Sequence, residues 1–188
     1  MTVPHRRITT KRLILRRPLP SDAEDLFRCL SNEEVCRTID VTRHRTLKDT
    51  EEFLDRLIGE YEAKILTEWI IEERTAKKAI GIINLYSFSE NSAYTGYFLE
   101  KDSWGHGFAT EALAVLKDHV FSETEIETLY ALCLPDNKAS LRVLEKCGFF
   151  FEKKGEYRGG KNDGEMIYRF AAEKSNKERE NENKKESK

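Results

Sequence analysis

A glycine-bearing turn constrains the fold of this chain more than any other segment. Residues 103–107 read Ser-Trp-Gly-His-Gly and lie between strand-like residues 94–99 and a segment with apolar side chains at helical spacing, residues 109–120. Gly105 and Gly107 let the backbone bend and approach a ligand closely. The first N–H groups of a helix have no partner within it, and that end of the helix is partly positive. The segment therefore predicts an anion-binding turn, with phosphate as its usual ligand.

The turn alone does not identify a ligand, since two glycines before a helix often form nothing more than a turn. The chain has no Gly-x-x-x-x-Gly-Lys-Ser/Thr motif, which argues against a Walker-type P-loop. It also lacks the three-glycine fingerprint of dinucleotide-binding units. A nucleotide-binding domain remains an alternative that no motif supports.

A second strand, turn and helix follow at residues 128–149. Pro135 ends the strand-like part, and Asp136 or Asn137 can cap the helix that follows. Gly148 suits the left-handed residue at which helices commonly end. The chain therefore repeats the strand–turn–helix arrangement within about thirty residues.

These two segments resemble the GNAT N-acetyltransferases, and more narrowly their RimJ/RimL-like branch. The resemblance rests on Trp-Gly-x-Gly-Phe-Ala-Thr-Glu-Ala from Trp104, and on Pro-x-Asn-x-Ala-Ser-x-x-x-Leu-Glu-Lys-x-Gly-Phe from Pro135. The opening Thr-Lys-Arg-Leu-Ile-Leu-Arg, residues 10–16, resembles the start of that branch. The similarity covers about residues 8–171. It implies acetyl-CoA as the acetyl donor.

The order of the elements predicts an α/β (α+β) fold. We expect a mixed, mostly antiparallel twisted sheet of about six to seven strands flanked by helices, and the resemblance adds a splay between the central strands. Residues 1–172 are predicted to form one domain, as is usual for a chain of 188 residues, and residues 173–188 a charged, disordered tail.

Composition limits the partners. A formal net charge of −2 gives no reason to expect nucleic acid or an anionic membrane, and no apolar run reaches membrane-spanning length. The four cysteines lack Cys-x-x-Cys spacing, and no secretion signal is evident, which indicates a cytoplasmic protein with reduced thiols and no predicted metal site. A monomer or a homodimer is expected.

The resemblance also implies a cofactor site. The pyrophosphate is expected on backbone N–H groups of the turn and the first helical residues: Gly105, His106, Gly107, Ala109 and Thr110. The side chain of His106 either adds a phosphate contact or is a solvated turn residue. The pantetheine arm is expected to pair with the strand near Leu99, where the N–H of Phe98 or Leu99 polarises the thioester carbonyl. Asn137 matches the asparagine that holds the coenzyme, a role compatible with helix capping.

The catalytic residues follow the resemblance less closely. Ser140 matches a candidate proton donor for the leaving thiolate, with a hydrogen bond on the helix surface as the alternative. Tyr94 stands where relatives often carry a glutamate base, and a phenol with a pKa of ~10 is a poor base at neutral pH. Tyr94 can relay a proton through water or pack against the acceptor. Glu68 and Glu100 are nearby carboxylates in sequence only.

The sequence thus predicts an N-acetyltransferase that transfers acetyl directly to a primary amine, either a protein N-terminus or a small-molecule amine. The missing carboxylate favours a weakly basic acceptor. It also leaves an alternative open, namely a coenzyme-A-binding sensor or interaction module with weak or no catalysis.

Overall fold

The computed structural model describes residues 5–63, 65, 67–158 and 163–175. Within them, the elements in chain order are β1 (Ile8–Thr9), β2 (Leu13–Arg16), α1 (Ala23–Leu30), α2 (Glu33–Arg37), α3 (Leu47–Glu62), β3 (Glu68–Glu73), β4 (Lys78–Tyr86), β5 (Ser92–Leu99), α4 (Phe108–Glu123), β6 (Thr128–Cys133), α5 (Lys138–Lys146), β7 (Phe150–Glu156) and β8 (Met166–Glu173). Strand β8 runs one residue past the predicted domain end at 172. The rest of the predicted tail, from residue 176 onward, lies outside the described residues.

The described strands form one mixed sheet in the order β1-β2-β3-β4-β5-β6-β8-β7. Each neighbouring pair of these strands is antiparallel except β5 and β6, which run parallel. The predicted mixed α/β sheet is therefore confirmed, with eight strands in place of six or seven. The additional strand is β1, whose two residues are too few for alternation of apolar and polar side chains to reveal.

Helices cover both faces of the sheet. On one face, α4 and α5 pack over a core that includes Leu113, Leu116 and Leu144. On the other face, α1 and α3 bury Leu26 and Leu57 against the sheet. None of the helices in the described part of the chain has the length and apolar character needed to cross a membrane.

The parallel pair β5–β6 separates before either strand ends. Their pairing runs from Ser92 and Thr128 to Thr95 and Ala131. Strand β5 nevertheless continues to Leu99, and β6 continues to Cys133. A gap therefore opens between the carboxyl ends of the two parallel strands, as the predicted splay requires.

Strand β4 supports the open half of β5 from the other side. The register between β3 and β4 shifts so that Ile71 pairs with Gly81 and Glu72 with Ala79, which leaves Ile80 as a bulge. At this point the backbone of β5 comes so close that a Cβ on Gly81 would lie 2.0 Å from the Phe98 carbonyl oxygen. Only glycine fits the position.

We expect Gly81→Ala to destabilise the protein by about 2 kcal/mol, because the added methyl group meets rigid backbone. Urea unfolding followed by circular dichroism measures the change. Gly59→Ala, in the last turn of α3, is the matched control, since a Cβ there meets nothing within 4 Å. It should stabilise the protein by about 0.5–1 kcal/mol. Equal stability of the two variants would contradict the close approach of β4 and β5.

Candidate active site

The glycine turn presents free N–H groups at the start of α4. Gly105 and Gly107 both have φ near +78°, a left-handed conformation that favours glycine, and Gly107 is the N-cap of the helix. The first backbone hydrogen bond within α4 is donated by Glu111 N to Gly107 O at 3.1 Å. The predicted residues Ala109 and Thr110 therefore lie in the first turn, where N–H groups have no partner inside the helix. His106 is exposed beside them.

A clamp from the N-terminal segment fixes this turn. One carboxylate oxygen of Glu111 accepts hydrogen bonds from Thr10 Oγ1 at 2.5 Å and Arg12 N at 2.9 Å, and the other accepts from Arg12 Nε at 2.7 Å. Arg12 Nη1 also donates to the carbonyl oxygen of His106 at 2.8 Å, and its guanidinium lies 4.6 Å from the centre of the Phe108 ring. Nη2 lies 3.6 Å from the position of a Cβ on Gly107. A guanidinium group thus borders the turn.

Sequence reasoning missed Arg12 as a site residue. The signal was present in two places, since Arg12 lies in the opening segment and Glu111 in the turn motif that carried the family resemblance. Their contact joins residues 99 positions apart, and strand or helix periodicity does not reveal such a contact.

Trp104 connects the turn to the end of β5. Its indole N–H donates to the carbonyl oxygen of Leu99 at 3.0 Å, while 42% of the residue stays exposed. The tryptophan is therefore only partly buried and joins the turn to the open strand edge.

The open edge of β5 presents backbone groups to the gap. Glu100 N donates to Ile80 O at 2.7 Å, so Glu100 faces β4. Because N–H groups of alternate strand residues point the same way, the N–H of Phe98 also faces β4, and the N–H groups of Tyr97 and Leu99 face the gap. Of the two predicted donors to a thioester carbonyl, the register directs Leu99 to the gap and Phe98 away from it.

Helix α5 begins at the other side of the gap. The side chain of Asn137 caps it by accepting a hydrogen bond from Ser140 N at 3.1 Å, so the predicted capping role is present. The hydroxyl groups of Ser140 and Tyr97 lie 2.9 Å apart. A hydrogen bond between side chains thus links the open part of β5 to the first turn of α5.

Tyr94 lies on the opposite face of the sheet. Side chains alternate along a strand, and Tyr97 packs against the core under α4 and α5. Tyr94 instead forms a row with Tyr86 on β4 and Tyr130 on β6, whose register places the three in line. The ring centroid of Tyr94 lies 5.6 Å from that of Tyr86 and 5.2 Å from that of Tyr130. The two predicted catalytic residues, Ser140 and Tyr94, therefore flank the gap from opposite faces.

Arg169 on β8 completes the tyrosine row, and sequence reasoning missed it. Arg169 Nη1 donates to the Tyr94 hydroxyl oxygen at 3.0 Å, and its guanidinium carbon lies 4.5 Å from the centre of the Tyr130 ring. Its other N–H groups bind both carboxylate oxygens of Glu152, and this hydrogen-bonded pairing is the main reason that the pKa of Arg169 is raised. Glu152 is therefore engaged in an ion pair.

Helix α2 spans the open end of the gap on this same side. Its Glu34 forms an ion pair with Lys101, which follows β5. Its Arg37 forms a second ion pair, of 2.8 Å, with Asp136, which follows β6. The hydrogen bond from Arg37 is the main cause of the lowered pKa of Asp136. The two diverging strands are thus connected through one short helix.

Neither of the other two carboxylates weighed from the sequence lies at the gap. Glu100 is buried and accepts hydrogen bonds from Lys78 Nζ at 2.6 and 2.8 Å. Glu68 lies on β3, two strands from β5, where burial raises its pKa. Both have structural surroundings that do not include the gap.

Comparison with known proteins fits this geometry. A family model described as an acetyltransferase (GNAT) domain matches residues 12–150. The chain is 32% identical over 153 residues to the uncharacterized N-acetyltransferase YoaA of Bacillus subtilis (strain 168), covering 80% of this chain and 85% of the relative.

Two solved structures share the fold at low sequence identity. A putative ribosomal-protein-serine acetyltransferase from Vibrio cholerae aligns with a TM-score of 0.79 and 22% identity over 92% of this chain and 99% of that one. RimL, a ribosomal L7/L12 alpha-N-protein acetyltransferase in complex with coenzyme A, aligns with a TM-score of 0.74 and 19% identity over 92% and 98%. The predicted resemblance to the RimJ/RimL-like branch agrees with these neighbours. The chain belongs to the GNAT family of acetyltransferases, which use acetyl-CoA as their acetyl donor.

Proposed function

We propose that this acetyltransferase acetylates a primary amine directly, either at a peptide N-terminus or on a small molecule. The observation that carries the proposal is the open edge of β5 from Gly96 to Leu99, which Ser140 and Tyr94 flank from opposite faces. Acetyl-CoA supplies the acetyl group as a thioester, and residues of this chain bind and orient it.

The turn suits the pyrophosphate of the coenzyme. Its donors are the backbone N–H groups of His106, Gly107, Ala109 and Thr110, and Gly105 gives the turn its shape. His106 and Gly107 are exposed, and Ala109 and Thr110 are partly exposed, at the positive end of α4, so a diphosphate can reach these groups.

Arg12 supplies positive charge that the turn otherwise lacks. Residues 103–107 include no lysine or arginine. The side chain of Arg12 is 41% exposed, and its guanidinium borders Gly107 and is held in place by Glu111. We assign it a contact to the coenzyme phosphates.

The gap suits the pantetheine arm. The N–H groups of Tyr97 and Leu99 lie on the unpaired edge of β5, so an extended amide chain can pair with them as an added strand would. The N–H of Leu99 is assigned to the thioester carbonyl, where it stabilises the negative charge that develops on oxygen. The side chain of Phe98 packs against the core under α1 and α3, and Asn137 holds the start of α5 beside the coenzyme.

The acceptor side favours a weakly basic amine. The oxygen of Tyr94 already accepts a hydrogen bond from Arg169, and Glu152 is occupied by the same arginine. Removing a proton from a lysine amine with a pKa of ~10.4 at pH 7.4 costs about 4 kcal/mol, against less than about 1 kcal/mol for an α-amine near ~8. With Tyr94 and Glu152 both engaged by Arg169, this part of the site suits an amine that is partly neutral in solution.

Replacing Gly107 with valine should abolish coenzyme A binding, measured by isothermal titration calorimetry, because a β-branched side chain is strained at φ +78° and covers the turn. The matched control is Gly164→Val, at a residue with φ +82° in the turn before β8. The control carries similar strain but should bind coenzyme A as the wild type does. Unchanged affinity of the Gly107 variant would contradict the assignment of the turn.

Arg12→Ala should weaken coenzyme A binding about tenfold, in line with loss of a hydrogen bond to a charged group. Arg74→Ala is the control, because Arg74 donates to the carbonyl oxygens of Thr10 and Lys11 in the same corner, and neither of these hydrogen bonds reaches the turn. If both variants bind equally well, Arg12 has only a structural role. Raising the salt concentration should reduce the difference in coenzyme A affinity between Arg12→Ala and the wild type, because salt screens the attraction between the guanidinium and phosphate.

Peptide N-termini should be acetylated faster than lysine side chains. At pH 7.4 about 20% of an α-amine with a pKa of ~8 is neutral, against about 0.1% of a lysine amine, so kcat/KM should differ by about 200-fold. For the α-amine, kcat/KM should rise with pH and level off above about pH 8, since only the neutral amine attacks. Thiol release from acetyl-CoA with peptides blocked at one amine or the other measures both rates.

Two results of the same assay would contradict the proposal. Faster reaction of lysine side chains than of N-terminal amines would exclude the preference for weakly basic amines. Binding of coenzyme A without thiol release on any amine would exclude the transferase reaction and favour a sensor or interaction module.

A further inference from the structure

Tyr97 contacts Ser140 across the gap. Its hydroxyl oxygen lies 2.9 Å from Ser140 Oγ, while its ring packs against the core under α4 and α5. The residues are 43 positions apart in the chain and belong to the two elements that the gap separates. The main chain of Ser140 is held independently, because its N–H donates to the Asn137 cap.

The direction of this hydrogen bond follows from the groups around Ser140. Burial is the main cause of the raised pKa of Tyr97, which keeps the phenol protonated and able to donate. Ser140 also forms a hydrogen bond with the thiol of Cys133. The pKa of this thiol is raised overall, because burial raises it by more than the hydrogen bond from Ser140 lowers it. A serine hydroxyl has one proton. Whether this proton is directed at the sulfur of Cys133, as here, or at the sulfur of a bound coenzyme, it is not available to Tyr97. Tyr97 is therefore the donor of the hydrogen bond between the two hydroxyl groups, and Ser140 Oγ is the acceptor.

We propose that Tyr97 is a positioning residue, which holds the hydroxyl of Ser140 so that its proton points at the sulfur of the coenzyme. This inference rests on the proposed function, with Ser140 in the role predicted from the sequence, as the proton donor to the leaving thiolate. Tyr97 keeps its own proton throughout.

The proton balance closes with Ser140 and solvent water. The bond between the acetyl carbon and the acceptor nitrogen forms, and the bond between that carbon and sulfur breaks with its electron pair going to sulfur. Ser140 gives its Oγ proton to this sulfur and regains a proton from solvent, which takes up the proton that the acceptor nitrogen loses on the opposite face. The products are the amide and the free thiol, and no further reactant is needed.

The first test is a double-mutant cycle on thiol release. Ser140→Ala should lower kcat about 100-fold and Tyr97→Phe about tenfold, each with KM for acetyl-CoA unchanged. Because Tyr97 acts through Ser140, the double variant should be no slower than Ser140→Ala. Tyr168→Phe, which removes a hydroxyl from another tyrosine packed against the same core, should match the wild type. Melting temperatures verify that all four variants fold.

The second test needs no turnover. Coenzyme A has the thiol that Ser140 is proposed to face, and desulfo-coenzyme A lacks it. The wild type should therefore bind coenzyme A at least about threefold more tightly than desulfo-coenzyme A. Both Ser140→Ala and Tyr97→Phe should lose this preference, and Tyr168→Phe should retain it.

The possible failures are distinguishable. Three outcomes would overturn the positioning role of Tyr97 and leave the proposed function standing. They are wild-type activity in Tyr97→Phe, a double variant slower by the product of the two single effects, and a thiol preference that Tyr97→Phe retains. Absence of thiol release by the wild type on any amine would overturn the proposed function, and the inference with it.

Discussion

The early end of the β5–β6 pairing is the constraint on which the rest of the site depends. Parallel neighbours require a crossover, and here α4 provides it between Leu99 and Thr128. The crossover brings the start of α4 to the carboxyl end of β5, and α5 starts at the carboxyl end of β6. Two helix N-termini and one unpaired strand edge therefore meet where the strands separate, which is the place where open α/β sheets bind ligands. Backbone groups of β5 that β6 does not pair become the binding surface.

Local features of this arrangement were predictable from the sequence because each depends on neighbouring residues. Gly105, Gly107 and Gly148 were placed in turns or at a helix end, and all three have positive φ. Asn137 was one of two candidates for the cap of α5 and is the one that accepts from Ser140 N. The strand, turn and helix order around both motifs followed from periodicity and from residues that stop or start helices. The family resemblance supplied the splay, which no local pattern shows.

Contacts between distant residues were not predictable in this way. The clamp of Arg12 on Glu111, the hydrogen bond of Tyr97 with Ser140 and that of Arg169 with Tyr94 join residues 99, 43 and 75 positions apart. Each pair meets because the sheet and the helices packed on it bring together elements that are remote in sequence. One part was predictable from the sequence: alternation along β5 places the side chains of Tyr94 and Tyr97 on opposite faces of the sheet.

That separation bears on the reaction path. In the proposed reaction, the donor lies in the gap, an amine arriving over Tyr94 reaches the thioester from one face, and the hydroxyl of Ser140 meets the sulfur from the other. A covalent path would need a nucleophile on this chain, and Cys133 is the thiol beside Ser140. Burial raises the pKa of Cys133, so at neutral pH it stays a thiol, and the thiolate is the reactive form. This supports the proposed direct transfer, in which the amine itself attacks and the chain contributes backbone donors and a hydroxyl group held in position.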